Sequence, residues 1–164
     1  MNKILLILFL LLLNNCGYTS IYKNQKSNNF QININEMSGD NEFNSYIKNE
    51  LKLFSNNNPD EIYNITLNSN YQKVVISKNT SGVATNYNIS ADVKINLSLS
   101  GKITNLAFNE NINIKNNSNS FEQNNYEKSI KKNFASSIVD KLIIKILNKK
   151  LLLNLLRLIR LILI

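Results

Sequence analysis

The sequence predicts an α+β fold, a two-layer sandwich in which two helices cover one face of a four-stranded, mostly antiparallel sheet. Every odd-numbered residue from Tyr87 to Leu99 is apolar and every even-numbered one is polar, which is the period of a strand with one buried face. Before and after the long strands, apolar residues recur every three or four positions, as in amphipathic helices. The predicted order is β-α-β-β-β-α, and packing the helices on the sheet buries both apolar surfaces.

The first strand and the first helix precede Pro59. Residues 30–35 alternate between apolar and polar types, which is typical of a half-buried strand. Four apolar residues then follow at i, i+4, i+8 and i+11 and share one side of a helix. They are Phe43, Ile47, Leu51 and Phe54. Asn56–Pro59 is expected to end this helix.

Two long strands and a shorter one form the middle of the chain. Residues 63–76 keep a period-two pattern, and the turn residues Thr80–Gly82 separate them from the strand at 87–99. Ser100-Gly101 introduces a fourth strand with Leu106, Phe108, Ile112 and Ile114 on one face. Glu110 interrupts this apolar set, so we expect the outer half of the fourth strand to leave the sheet.

A long helix closes the predicted domain. Tyr126, Ile130, Phe134 and Ile138 are spaced by four, and Leu142, Ile146 and Leu147 continue the apolar side. This helix should cover the sheet.

The tail at 148–164 is basic and apolar, and at about 1.5 Å per residue its last fourteen residues are too short for a bilayer core of about 30 Å. Three alternatives stay open for it: an interfacial membrane helix, packing on a partner, or no function.

The N-terminus resembles a lipoprotein signal. Lys3 precedes the apolar run Ile4–Leu13, and the only cysteine of the chain, Cys16, lies just after it. The run has the length of a signal-peptide h-region, and a cysteine at its end can accept acyl chains. We therefore predict a signal peptide at 1–15, lipidation of Cys16, a tether at 16–29 and a domain at 30–147. Because Asn15 is larger than the residue normally found before a lipidated cysteine, an ordinary cleaved signal and an uncleaved anchor are the alternatives.

Charge and composition exclude several functions. The net charge is +8, and the segment 126–164 has nine basic residues against Glu127 and Asp140. For an exported protein this favours anionic lipid or an acidic protein surface over nucleic acid, and a solvated helix face is the alternative. The chain has no histidine, which removes His-based catalysis and most zinc sites. No cofactor is expected. The carboxylates lie on separate predicted elements and do not form a catalytic cluster, so we do not expect the protein to be an enzyme. They are Asp92, Glu110, Glu122 and Asp140.

Four segments together resemble the LPS-assembly lipoprotein family, LptE, in its short α-proteobacterial form. Cys16–Tyr22 is similar to the family's C-G-[FY]-x-P-L-Y start, with Ser20 and Ile21 in place of the usual Pro and Leu. The segments 76–87 and 89–97 resemble its central strands, and 121–142 resembles its closing helix.

The resemblance implies a lipoprotein at the periplasmic face of the outer membrane, held through acylated Cys16. It implies that the protein plugs the LPS translocon β-barrel, LptD, assists the assembly of that barrel and binds lipopolysaccharide. Gly17 agrees with sorting to the outer membrane. A lipid-binding envelope carrier or adaptor that uses the basic closing helix is the alternative function.

The family's lipid-contacting basic residues lie in the turn between the second and third strands and just before the closing helix. The corresponding loops here contain no lysine or arginine, and Lys78 and Lys115 are the nearest candidates for contacts with lipid phosphate. Exposed lysines that end strands are the alternative interpretation.

Overall fold

The chain forms four strands and two helices in the predicted order, seen in a computed structural model that describes residues 29–56 and 58–162, with side chains through Leu151. The predicted signal peptide, Cys16 and residues 17–28 of the tether lie outside the described residues. The elements are β1 (Phe30–Gly39), α1 (Asn41–Lys52), β2 (Glu61–Lys78), β3 (Ala84–Leu99), β4 (Lys102–Lys115) and α2 (Ser120–Ile162). The predicted α+β class and element order are confirmed.

The four strands form one mixed sheet in the order β1-β2-β3-β4. β1 pairs in parallel with β2, and α1 makes the crossover between them. Because parallel neighbours need such a crossover while antiparallel ones need only a turn, the other two pairs are antiparallel hairpins. The sheet is therefore mostly antiparallel, as predicted.

The core lies between the helices and one face of the sheet. The odd-numbered residues 89–97 of β3 are all buried, as their period predicts. Each helix buries the apolar side that its spacing predicts, except at Tyr126, which is 50% exposed because it lies in the first turns of the closing helix, beside the open depression at the end of the sheet. The buried helical residues include Phe43, Ile47, Leu51, Ile130, Ile138, Leu142 and Ile146. The opposite face of β3 is polar and carries Asp92, Lys94 and Asn96, which are exposed.

The expectation that the outer half of β4 leaves the sheet is wrong. β4 pairs with β3 along its length, from Lys102 opposite Leu99 to Lys115 opposite Asn86. Glu110 does not break the strand because its carboxylate accepts hydrogen bonds from Ser137 Oγ at 2.6 Å and from Lys141 Nζ at 2.5 Å. A charge with such partners can be held beneath a helix.

The closing helix continues without interruption from Ser120 to Ile162. The backbone of the predicted tail is therefore helical at 148–162. Within the part of the chain that the structure describes, no helix combines the length and apolar character needed to cross a membrane.

Candidate interaction site at the distal end of the sheet

The distal end of the sheet, which we define as the β2–β3 hairpin together with the loop at 116–119, contains both lysines singled out by the sequence. The hairpin turn is built around Asn79, whose side-chain oxygen accepts hydrogen bonds from the backbone N–H groups of Ser81 at 3.1 Å and Val83 at 2.9 Å. Gly82 adopts a φ of 78°, which glycine reaches without steric cost. The turn is therefore held by its own hydrogen bonds.

The loop that follows β4 packs against this hairpin. The backbone N–H of Asn116 donates to the carbonyl of Thr85 at 2.8 Å, and its side-chain amide donates to the carbonyl of Ala84 at 2.9 Å. Asn119 then caps α2 by accepting from the N–H of Phe121 at 3.0 Å. The two loops that the sequence analysis treated separately thus form one surface.

This surface contains two adjoining open depressions of about 490 and 630 Å³, and Lys115 and Asn116 line both. Polar side chains and backbone form much of the lining. The first depression is lined by Asn79, Val83, Ala84, Thr85, Asn86, Lys115, Asn116 and Ser118. An ammonium group beside several amides and hydroxyls can donate hydrogen bonds to an anionic oxygen such as that of a phosphate.

Lys78 and Lys115 lie on either side of β3 at this end. Lys78 pairs with Ala84, and Lys115 pairs with Asn86. Two strand spacings of about 4.8 Å and an offset of two residues along β3, about 6.8 Å, place their backbones about 12 Å apart. Within residues 29–56 and 58–151, neither lysine forms an ion pair with a carboxylate. The structure thus brings the two candidates together, although Lys78 lines neither of the two depressions.

Apolar side chains exposed to solvent surround the same hairpin. Val74, Val75 and Ile76 are 51, 41 and 50% exposed, and Val83 is 55% exposed. The sequence predicts that the first three lie in a strand, but their exposure was not predicted. The sequence feature that could have indicated it is the run of three consecutive apolar residues at the end of a period-two pattern. Exposed apolar groups beside cations suit a ligand or partner that is itself apolar and anionic.

Several basic residues of α2, unlike Lys78 and Lys115, form ion pairs with carboxylates of the sandwich. Lys131 lies 2.9 Å from the Glu42 carboxylate and 3.4 Å from that of Asp40, and hydrogen bonds from Lys131 and Tyr46 lower the pKa of Glu42. Lys141 pairs with Glu110. Part of the basic charge of this helix therefore joins it to the rest of the sandwich.

The face of the sheet opposite the helices is mainly polar, with Val74 and Ile103 as exposed apolar residues on it. Asn88 Nδ2 donates to Asn113 Oδ1 at 2.7 Å across β3 and β4, and Asn109 Nδ2 donates to Asp92 Oδ1 at 2.7 Å. These cross-strand bonds use side chains that all extend from the uncovered face. We call this surface the polar face. It offers hydrogen-bonding groups over several strands.

No family model matches the chain, and no curated protein matches it in sequence. Solved structures do match. Rare lipoprotein B from Shewanella oneidensis is similar with a TM-score of 0.55 and 12% identity, over 73% of this chain and 99% of that one. A candidate lipoprotein from Caulobacter crescentus is similar with a TM-score of 0.50 and 13% identity, over 68% and 85% of the two chains. This chain therefore shares its fold with rare lipoprotein B.

Proposed function

We propose that this chain is an outer-membrane lipoprotein, anchored at the periplasmic face through Cys16, that partners and plugs the LPS translocon β-barrel, LptD. In this role it assists the assembly of the barrel and the insertion of lipopolysaccharide, and it catalyses no reaction.

One observation carries the proposal: the fold covers 99% of rare lipoprotein B, in a chain whose only cysteine follows an apolar signal-like run. The two parts of this observation are independent, because one is a comparison of folds and the other is read from the sequence of the first sixteen residues. Lipidation places the domain at a membrane surface, and a protein held there can meet a barrel in the same membrane.

The polar face supports a barrel as the partner. The lumen of a large outer-membrane barrel is polar and filled with water, so a plug inside it needs hydrogen-bonding surfaces. The polar face provides them with Asn88, Asp92, Asn109 and Asn113. An apolar partner would bury the remaining donors and acceptors of these side chains, beyond the bonds they make to each other, at a cost for each group left unpaired.

The distal end supports a contact with lipopolysaccharide. Lys115 and the amides around it provide donors for a phosphate, and Val83 provides apolar surface beside them. Lys78 adds a second positive charge, from a backbone position about 12 Å away. These groups match an amphiphile that carries both phosphate and acyl chains.

The carrier alternative depends on the basic closing helix. Lys131, Lys141 and Lys150 of that helix are in ion pairs with carboxylates of the sandwich. A lipid that bound these lysines would have to compete with those carboxylates, so the structure supports the barrel partner more directly.

The test is a tagged pull-down from gently solubilised outer membranes, followed by mass spectrometry. A photo-crosslinking residue at Asn96 or Asn105, both exposed on the polar face, should capture one large β-barrel in stoichiometric amount. A second lipoprotein from the same cells with the same tag is the control for detergent carry-over. Recovery of the protein alone, or with lipid only, would reject the barrel partner and favour the carrier.

A further inference from the structure

The closing helix extends beyond the sheet at the end opposite the hairpin, which we call the proximal end. Its last described side-chain contacts with the sheet are a hydrogen bond from Lys149 Nζ to Thr104 Oγ1 at 2.9 Å and the pair between Lys150 and Glu61 at 3.6 Å. Glu61 is the first residue of β2. The helix then continues to Ile162, which at about 1.5 Å per residue adds about 18 Å.

This extension, Leu151–Ile162, is apolar and basic in sequence. Its only polar residues are Asn154, Arg157 and Arg160, and it contains no carboxylate. The three are spaced by three, and a regular helix keeps residues at that spacing on one side. The side chain of Leu151 is 72% exposed. A helix with this composition binds lipid interfaces, where leucines enter the acyl region and arginines meet anionic head groups.

The chain enters the fold at this same proximal end. The backbone N–H of Asp60 donates to the carbonyl of Asn29 at 3.1 Å, and Phe30 pairs with Glu61 in the sheet. Glu61 thus adjoins both the first described residues and Lys150, the last residue before the extension. The first described residues of the chain therefore lie on the side of the domain from which the extension emerges.

We propose that the extension is a second membrane anchor, which binds the interfacial region of an anionic leaflet beside the acyl chains of Cys16. The proposal rests on the proposed function for the position of those acyl chains. The extension itself is too short for a bilayer core of about 30 Å, and its two arginines without a carboxylate favour an anionic surface. A second anchor on the same domain holds it to the membrane more firmly than the acyl chains alone and fixes its orientation there.

The experiment uses the mature chain from residue 16 with Cys16→Ser, exported behind a general secretory signal, so that acyl chains do not contribute. Vesicles of equal parts phosphatidylglycerol and phosphatidylethanolamine are the probe, and flotation measures binding. Leu155→Asp with Ile159→Asp should lower the binding by at least about tenfold. Arg157→Gln with Arg160→Gln should lower it by about fivefold per arginine. For neither pair should the loss of binding to neutral phosphatidylcholine vesicles exceed the loss measured on the anionic vesicles.

The matched control is Phe121→Asp with Ser129→Asp, which places the same two charges at exposed positions in the first turns of the same helix, far from the extension. It should leave vesicle binding unchanged. A chain that ends at Lys150 is the second variant, and its urea unfolding midpoint establishes that the domain is folded. The proposal is overturned if either altered extension binds like the parent or if the control loses binding equally. Vesicle binding without capture of a barrel would reject only the proposed function, and capture without vesicle binding would reject only this anchor.

Discussion

Ser69 Oγ donates a 2.8 Å hydrogen bond to Asn44 Oδ1 in the interior, where both side chains are at most 5% exposed. The amide of Asn44 also donates to the carbonyl of Ser38 at 3.0 Å. One asparagine thus joins α1 to β2 and to the end of β1. Asp40 caps the same helix by accepting from the N–H of Phe43 at 2.7 Å, so the crossover is fixed by polar contacts as well as by packing.

The substitution Asn44→Ala should lower the free energy of unfolding by about 1–3 kcal/mol, because it removes the partner of the buried Ser69 hydroxyl and of the Ser38 carbonyl. Ser69→Ala combined with it should cost less than the sum of the two single changes. Asn49→Ala is the control, since Asn49 is exposed on the same helix. Urea denaturation followed by circular dichroism provides the comparison, and equal costs for Asn44→Ala and Asn49→Ala would contradict this account.

Gly39 should be far less tolerant of alanine than Gly82, although both have positive φ angles, 97° and 78°. A Cβ on Gly39 would lie 1.7 Å from the carbonyl oxygen of Ser69, whereas nothing lies within 4 Å of one on Gly82. We expect Gly82→Ala to cost about 1–2 kcal/mol, from backbone strain alone. Gly39→Ala should cost several kcal/mol or prevent folding. Similar unfolding midpoints for the two variants would show that β1 and β2 can separate at this point.

The helices and strands could be predicted because the spacing of apolar residues within each of them is a local feature of the sequence. The alternation in β3 and the spacing of Phe43, Ile47 and Leu51 depend only on which side of an element faces the core. Glu110 was misread for the opposite reason. Its partners Ser137 and Lys141 lie 27 and 31 residues further along the chain, and no local pattern reports that a helix will bring a lysine over a strand.

The candidate site was predictable only in part. The sequence indicates Lys78 and Lys115 at the edges of two loops, but their proximity follows from the pairing of β3 with both neighbours. The exposure of Val75, which pairs with Tyr87, depends on where the helices stop covering the sheet, and that of Val74 depends on its place on the polar face opposite Asn88; both are tertiary properties. The roles of both lysines remain predictions.

Stability should fall as the pH rises from about 10 to about 12, because burial raises the pKa of Tyr63 and of Tyr71 to about 12. The unfolded chain loses these protons near pH 10, while the folded chain keeps them. The folded state therefore binds more protons in this window, and the free energy of unfolding decreases with pH there. Below pH 10 the contribution is fully present.

The measurement for the tyrosines is a series of urea denaturations across this pH range. Tyr63→Phe and Tyr71→Phe should each flatten the slope. Tyr126→Phe is the control for the loss of a tyrosine hydroxyl, since its side chain is 50% exposed. A slope that Tyr63→Phe and Tyr71→Phe leave unchanged would assign the alkaline loss to other groups.

Lys115 should contribute more than Lys78 to binding of purified lipopolysaccharide, because Lys115 lines both depressions of the distal end. At about 1 kcal/mol for a lysine near an anionic lipid surface, Lys115→Gln should weaken binding by about fivefold. Lys78→Gln should weaken it less, and added salt should reduce both differences. Lys102→Gln is the matched control, since Lys102 is exposed at the other end of the same strand. Titration of labelled lipopolysaccharide against each variant measures these affinities.

Val83→Asp tests the apolar part of the site separately, because it leaves both ammonium groups in place. If Lys102→Gln weakens binding as much as Lys115→Gln does, the interaction follows the overall positive charge, and the distal end is not a lipid site.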